Sequence, residues 1–146
     1  MIYIGIDPGY KGGIALIDDD NHAYAYKMPS TEMDIYQLIR DISLRYNDEY
    51  FALLEKVHSM PQQGVKSTFT FGMHYGFLRA CLMACSIPFD DISPAKWQRK
   101  LNCLSRGDKN ITKAKAQQLF PELKITHYVS DALLIAYYNK NFYSRR

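Results

Sequence analysis

Two short apolar runs in this chain end on a carboxylate, and a third carboxylate opens a long apolar stretch near the C-terminus. Ile2, Ile4 and Ile6 alternate with Tyr3 and Gly5 and deliver Asp7, after which Pro8-Gly9 turns the chain. Tyr50-Phe-Ala-Leu-Leu delivers Glu55, and Asp131 stands near the start of an apolar segment over 129–142. A carboxylate at the end of a buried strand is costly to desolvate unless something cationic faces it. On its own segment Asp7 also fits an Asx-type turn. Side chains at neighbouring strand ends lie within several Å of each other, and a helix start laid over that edge would add a third acid. Three such groups repel, and each pKa rises unless a divalent cation sits among them. An all-oxygen set suits Mg²⁺ or Mn²⁺. With two ions it can stabilise the attacking and leaving oxygens of a phosphodiester displacement.

The elements that must position these acids follow from periodicity. Gly12-Gly13-Ile-Ala-Leu-Ile reads as a strand returning beside the first, with Asp18-Asp19-Asp20-Asn21 as the next turn. His22 to Met28 alternates as a third strand, and Ser30-Thr31-Glu32 offers helix caps. Ile35, Leu38, Ile39, Ile42 and Tyr46 predict an amphipathic helix over 32–46, broken by Asn47-Asp48-Glu49. Residues 56–72 read as an irregular loop entering a helix near 70–86. A short strand over 87–93, a helix from Pro94 to about 101, a polar linker and a basic helix over 111–120 precede the last helix. Three hairpin-linked strands followed by strands joined through helices predict an α/β domain spanning 1–146. Its mixed five-stranded sheet carries helices on its faces.

Composition narrows the function classes. The 146 residues are 47% apolar and 23% charged, an ordinary globular balance, and no run approaches the roughly 18 apolar residues of a membrane span. With no signal-like N-terminus, a cytosolic protein is expected. Cys81, Cys85 and Cys103 lack metal spacing and read as reduced thiols. The net charge of +3 hides an asymmetry: residues 1–94 hold 7 Lys/Arg against 12 Asp/Glu, residues 95–146 hold 11 against 3. Segregation of this kind fits either a polyanion-binding face or a solvated basic helix.

IGIDPGYKGGIA, LLEKVHSMPQQGVKSTFTFG, SPAKWQ and HYVSDALLIAYY, in that order and spacing, resemble the RuvC-type Holliday-junction resolvases, above all their phage-encoded relatives. The resemblance runs over nearly the whole chain. It implies a ribonuclease H-like fold, a homodimer, and Mg²⁺-dependent paired nicking of four-way DNA junctions without a nucleotide cofactor or a membrane. Such a protein would act in the cytoplasm, the host's if phage-encoded. Asp7, Glu55 and Asp131 match the family's catalytic acids. Its fourth metal-site position, three residues before the last Asp, is Tyr128 here, so His127 becomes the candidate for that role. The aromatic that probes the junction centre corresponds to His58, with Phe69 further along the loop. Lys56, Lys66, Lys96, Arg99, Lys109, Lys113 and Lys115 are candidates for backbone phosphates, Lys113 lying where the family keeps a functional lysine. Trp97 is expected to pack rather than stack on bases.

Three rival readings remain at this stage. Asp-x-Gly at one strand end with Gly-Gly opening the next also resembles the phosphate turn of sugar kinases and actin-like ATPases. Such proteins usually need two domains and a second glycine-rich loop. A junction-binding protein without cleavage would not need all three acids. A nuclease of broader branched-DNA preference, taking forks and flaps, fits the same residues.

Overall fold

The Ile2-Ile4-Ile6 alternation forms the central strand of a computed structural model that describes residues 1–45, 47, 49–57 and 61–143. Strand β1 (Ile2–Asp7) pairs antiparallel with β2 (Gly13–Asp18), which pairs antiparallel with β3 (Ala23–Lys27). On its other edge β1 pairs parallel with β4 (Tyr50–Glu55), and β4 with β5 (Phe89–Ile92). The order β3-β2-β1-β4-β5 is the expected mixed five-stranded sheet.

Alternation splits the sheet into two packed faces. Ile2, Ile4, Ile6, Ala52 and Leu54 bury against α1 (Glu32–Arg45) and α2 (Val65–Ala84). Helix α1 starts where Thr31 Oγ1 accepts the Asp34 N–H, and it buries Ile35, Ile39 and Ile42 at helical spacing. The predicted end at Tyr46, and Asp48 beyond it, lie outside the described residues. On the opposite face, Ala15, Ile17, Phe51 and Leu53 pack against α3 (Pro94–Lys100) and α5 (Ser130–Phe142), with α4 (Lys109–Leu119) against α5. Cys81 and Cys103 are buried free thiols and Cys85 is half-buried. Among the described residues no helix is long and apolar enough to cross a membrane.

Two glycines set how closely α5 approaches. A Cβ on Gly5 would lie 2.3 Å from Ala132 O and Ala136 N, and one on Gly13 would lie 2.6 Å from Tyr128 O. The helix backbone therefore rests on the strand backbone with no side chain between. Asn139 fixes the register: its buried Nδ2 donates to Ile4 O at 3.0 Å and Phe51 O at 2.9 Å, tying α5 to both central parallel strands.

Helix α2 corrects the sequence reading. It begins at Val65, not near 70, so Lys66 and Phe69 are helical rather than in the loop. Its apolar residues lie all round the cylinder, and the missing amphipathic contrast hid its first turns.

Replacing Asn139 by Leu keeps the branching of the side chain but removes both buried hydrogen bonds to the strand carbonyls. We expect the variant to lose about 1–3 kcal/mol, read as a lower urea midpoint at unchanged slope. An unchanged midpoint would show that the tie is dispensable.

Candidate active site

Asp7 and Glu55 sit one residue past the Ile6–Leu54 pair on adjacent parallel strands, so both side chains leave the same end of the sheet. Their parity with Gly5 and with Phe51 and Leu53 places both on the α5 face. The close approach of α5 brings Asp131, in its first turn, to the same point. Asp7 and Asp131 are 6% and 7% exposed. The sequence-predicted triad is therefore assembled by the fold.

The cation among these acids is Lys109, the first residue of α4. Its Nζ lies 3.3 Å from Asp7 Oδ2 and 3.6 Å from Asp131 Oδ2. Burial disfavours the ammonium, but the two carboxylates outweigh it and its pKa is raised. Asp108 caps α4, accepting the Asn110 N–H at 3.0 Å, and so fixes where Lys109 leaves the helix. Glu55 is held from another side, by the fully buried Trp97, whose Nε1–H donates to Oε2 at 2.8 Å. Trp97 is thus packing, as expected, and a positioning donor as well.

Among the described residues one ammonium faces three acids and does not balance them. Burial, with the Asp131 charge added, pushes Asp7 up to about 6 against the pull of Lys109. Burial and the Asp7 charge push Glu55 up to about 8 despite the Trp97 bond. Asp131 Oδ1 is buried with no hydrogen-bond partner among the described residues. Raised carboxylates beside an orphaned carboxylate oxygen are what a hard divalent cation would satisfy, so the donor set fits Mg²⁺ or Mn²⁺.

The turn after Asp7 is also anchored. Gly9 takes φ +104°, which favours glycine, and its N–H donates to His74 Nε2 of α2 at 2.8 Å. His74 was not singled out from the sequence; inside an apolar segment it reads as one more core position.

The remaining candidates are spread more widely. His127 is exposed on the turn before α5, and among the described residues no hydrogen bond or ion pair joins its ring to the acids. Lys56, Lys66, Lys96 and Arg99 are exposed, and Lys113 and Lys115 are half-exposed on α4. Lys109, not Lys113, reaches the carboxylates. Phe69 is 69% exposed, and His58 lies outside the described residues.

Among the described residues, Asp18, Asp20 and His22 bring three possible ligand atoms within 4.8 Å, closer than the oxygens of Asp7, Glu55 and Asp131 come. That group lies on the β2–β3 turn, and Asp18 faces Ile2 at the sheet end remote from Asp7. Its contacts close the hairpin: Asp18 accepts the His22 N–H at 2.8 Å, and Lys140 Nζ donates to Asp18 O at 2.6 Å.

Solved structures share this architecture. RuvC from Thermus thermophilus in complex with Holliday junction substrate superposes with a TM-score of 0.61 at 17% identity, over 93% of this chain and 90% of that one. Another Thermus thermophilus RuvC structure gives 0.59 at 17% identity, over 93% and 91%. The yeast mitochondrial Holliday-junction resolvase gives 0.50 at 18%, over 91% and 75%. The chain has the RuvC fold. That is the ribonuclease H-like fold expected from the sequence. No family model and no curated protein matches the chain in sequence.

The raised carboxylates make the site pH-sensitive without metal. Between their ordinary pKa values and about 6 and 8, the folded protein holds protons on Asp7 and Glu55 that the unfolded chain has lost. The stability this contributes is full below about pH 4 and is lost as pH rises through those values. In EDTA the melting temperature should fall from about pH 4 to about pH 8, less steeply in Glu55→Gln. Mg²⁺ should raise it more at the alkaline end, because metal replaces the missing protons. A melting temperature that Glu55→Gln leaves equally steep would argue against a protonated Glu55.

Proposed function

We propose that this chain is a divalent-metal-dependent endodeoxyribonuclease, comprising one nuclease domain, that resolves four-way and related branched DNA junctions. The observation that carries this is the convergence of Asp7, Glu55 and Asp131 from two parallel strand ends and a helix start, with Asp131 Oδ1 buried and unpartnered among the described residues. The fold supports the substrate class, since a structure sharing it is a RuvC in complex with Holliday junction substrate.

In this reading Asp7, Glu55 and Asp131 hold Mg²⁺, with Mn²⁺ able to substitute, and His127 is our candidate for a fourth ligand. Bound ions, two per site in the fullest form, would polarise the phosphate and lower the pKa of the attacking water. The chain's own part is positional. Trp97 holds Glu55, Lys109 compensates Asp7 and Asp131, and His74 holds the turn that follows Asp7. Lys56, Lys66, Lys96, Arg99, Lys113 and Lys115 neutralise backbone phosphates and carry no sequence information. Phe69 and His58 remain candidates for contact with the junction. No nucleotide cofactor or membrane enters this reading, which places the protein in the cytoplasm.

Two nicks on strands of like polarity call for two sites, and an isologous dimer is the simplest way to supply them. Val65, Met73 and Met83 are 88%, 55% and 63% exposed, and Gly72 and Gly76 open onto empty space. This apolar stripe along α2 is the dimer surface we favour. Sedimentation at micromolar concentration should give a dimer, and Met73→Glu a monomer. A wild-type monomer that still makes paired nicks in one binding event would dispose of the dimer.

The activity test is a gel assay with labelled four-way junction, Y-fork and duplex in Mg²⁺, Mn²⁺ or EDTA. Asp7→Asn, Glu55→Gln and Asp131→Asn should each abolish nicking while junction binding persists, because an amide keeps the shape and loses the charge. His127→Ala should slow the reaction less. Near-wild-type cutting by any of the three carboxamides would remove that residue from the site.

A further inference from the structure

On the α2 side of the turn that follows Asp7 lies a cavity of about 640 Å³. Tyr10, on the turn after β1, lines one side, and Gln63, Lys66, Thr70, Phe71 and His74 come from the start of α2. The rings lie close together: the centroids of Tyr10 and His74 are 4.9 Å apart, those of Phe71 and His74 6.4 Å. This flank of α2 is distinct from the exposed stripe carrying Met73, which does not line the cavity.

We infer that this cavity receives one unstacked nucleobase of the DNA strand held at the carboxylates. The inference rests on the branched-DNA reading above and adds to it how the strand is gripped.

The location supports it first. Gly9 is two residues past Asp7, and a Cβ there would lie 3.1 Å from Phe71 Cε2, so the cavity wall touches the catalytic turn itself. Successive nucleotides of one strand are about 3.4 Å apart along a duplex. A strand with one phosphate at Asp7 therefore has its neighbouring bases within reach.

The lining supports it next. Flat aromatic faces stack on any base, whichever its sequence. The Gln63 amide and the Thr70 hydroxyl offer donors and acceptors for a base edge, and Lys66 supplies positive charge for the adjoining phosphate. A branch point interrupts base stacking, and bases already unpaired or unstacked cost least to draw out.

His74 connects the cavity to the site. It is 4% exposed, and because Nε2 accepts the Gly9 N–H the ring proton sits on Nδ1, which is buried without a partner among the described residues. Burial lowers its pKa and favours this neutral form. A hydrocarbon would fill the space without stranding a buried N–H. The ring thus sits where one wall of the cavity and the backbone beyond Asp7 are held together.

An abasic scan tests this on the full-length protein. One nucleoside at a time around the branch point is replaced by an abasic site, and binding is followed by fluorescence anisotropy with Ca²⁺ replacing Mg²⁺. At one position the missing base should weaken wild-type binding about fivefold or more. The same replacement should cost little further in Tyr10→Leu or Phe71→Leu, while Tyr10→Phe should behave as wild type. If the wild-type protein binds and cuts junctions but no position couples to Tyr10 and Phe71, the cavity proposal is overturned and the nuclease reading stands. If the wild-type protein neither binds nor cuts branched DNA, the nuclease reading fails and this proposal fails with it.

Discussion

Helix α5 can lie directly on β1 because residue 5 has no side chain, and the candidate site depends on that contact. With Ala132 O and Ala136 N 2.3 Å from where a Cβ would stand, even alanine would force the helix outward. Interiors packed at crystal density transmit such a displacement rather than absorb it. Asp131 belongs to the first turn of this helix, so its distance from Asp7 is set by a glycine two residues upstream of Asp7. Asn139, two turns further along α5, holds the other end by bonding carbonyls on both β1 and β4. The strands that carry Asp7 and Glu55 are thus locked to the helix that carries Asp131.

The electrostatics follow from that crowding. Acids brought together in a desolvated corner must share protons or cations, and here one ammonium reaches two of the three. Glu55, outside the reach of a Lys109 hydrogen bond, is pushed furthest up, to about 8, with Trp97 as its donor. An indole N–H stabilises the charged carboxylate without adding positive charge. The corner therefore stays short of cation, a property of its side chains that requires no bound ion to be seen.

Much of this was legible in the sequence, for physical reasons that differ by element. Strands β1 and β4 announced themselves because short apolar runs ending on Asp7 and Glu55 have few other solutions. Helix α1 was legible because one face is buried and the other wet. The acids were found because carboxylates closing apolar runs are unusual. Lys109 was grouped with the phosphate-binding lysines because its role depends on the close packing of α4 against α5, a contact 102 residues removed from Asp7. Trp97 was read as a packing residue, which it is, and His74 was not singled out; that one donates to Glu55 and the other accepts from the turn after Asp7 is visible only with distances.

Helix α2 carries no periodic signal of its start for a related reason. Its circumference does three different things, and each favours apolar or small residues. One face buries His74, Leu78, Cys81 and Leu82 in the core, a second lines the cavity through Phe71 and Thr70, and a third exposes Val65, Phe69, Met73 and Met83. A helix with polar work on one side shows a period of 3.6; a helix with apolar work on every side shows none. The missing period is itself informative, because an apolar helix lying on the outside of a sheet has surface left over after its core face is satisfied. His74 makes that surface consequential. Its bond to the Gly9 N–H ties the helix to the turn that follows Asp7, so whatever settles on the outer faces of α2 bears on the geometry of the carboxylate corner.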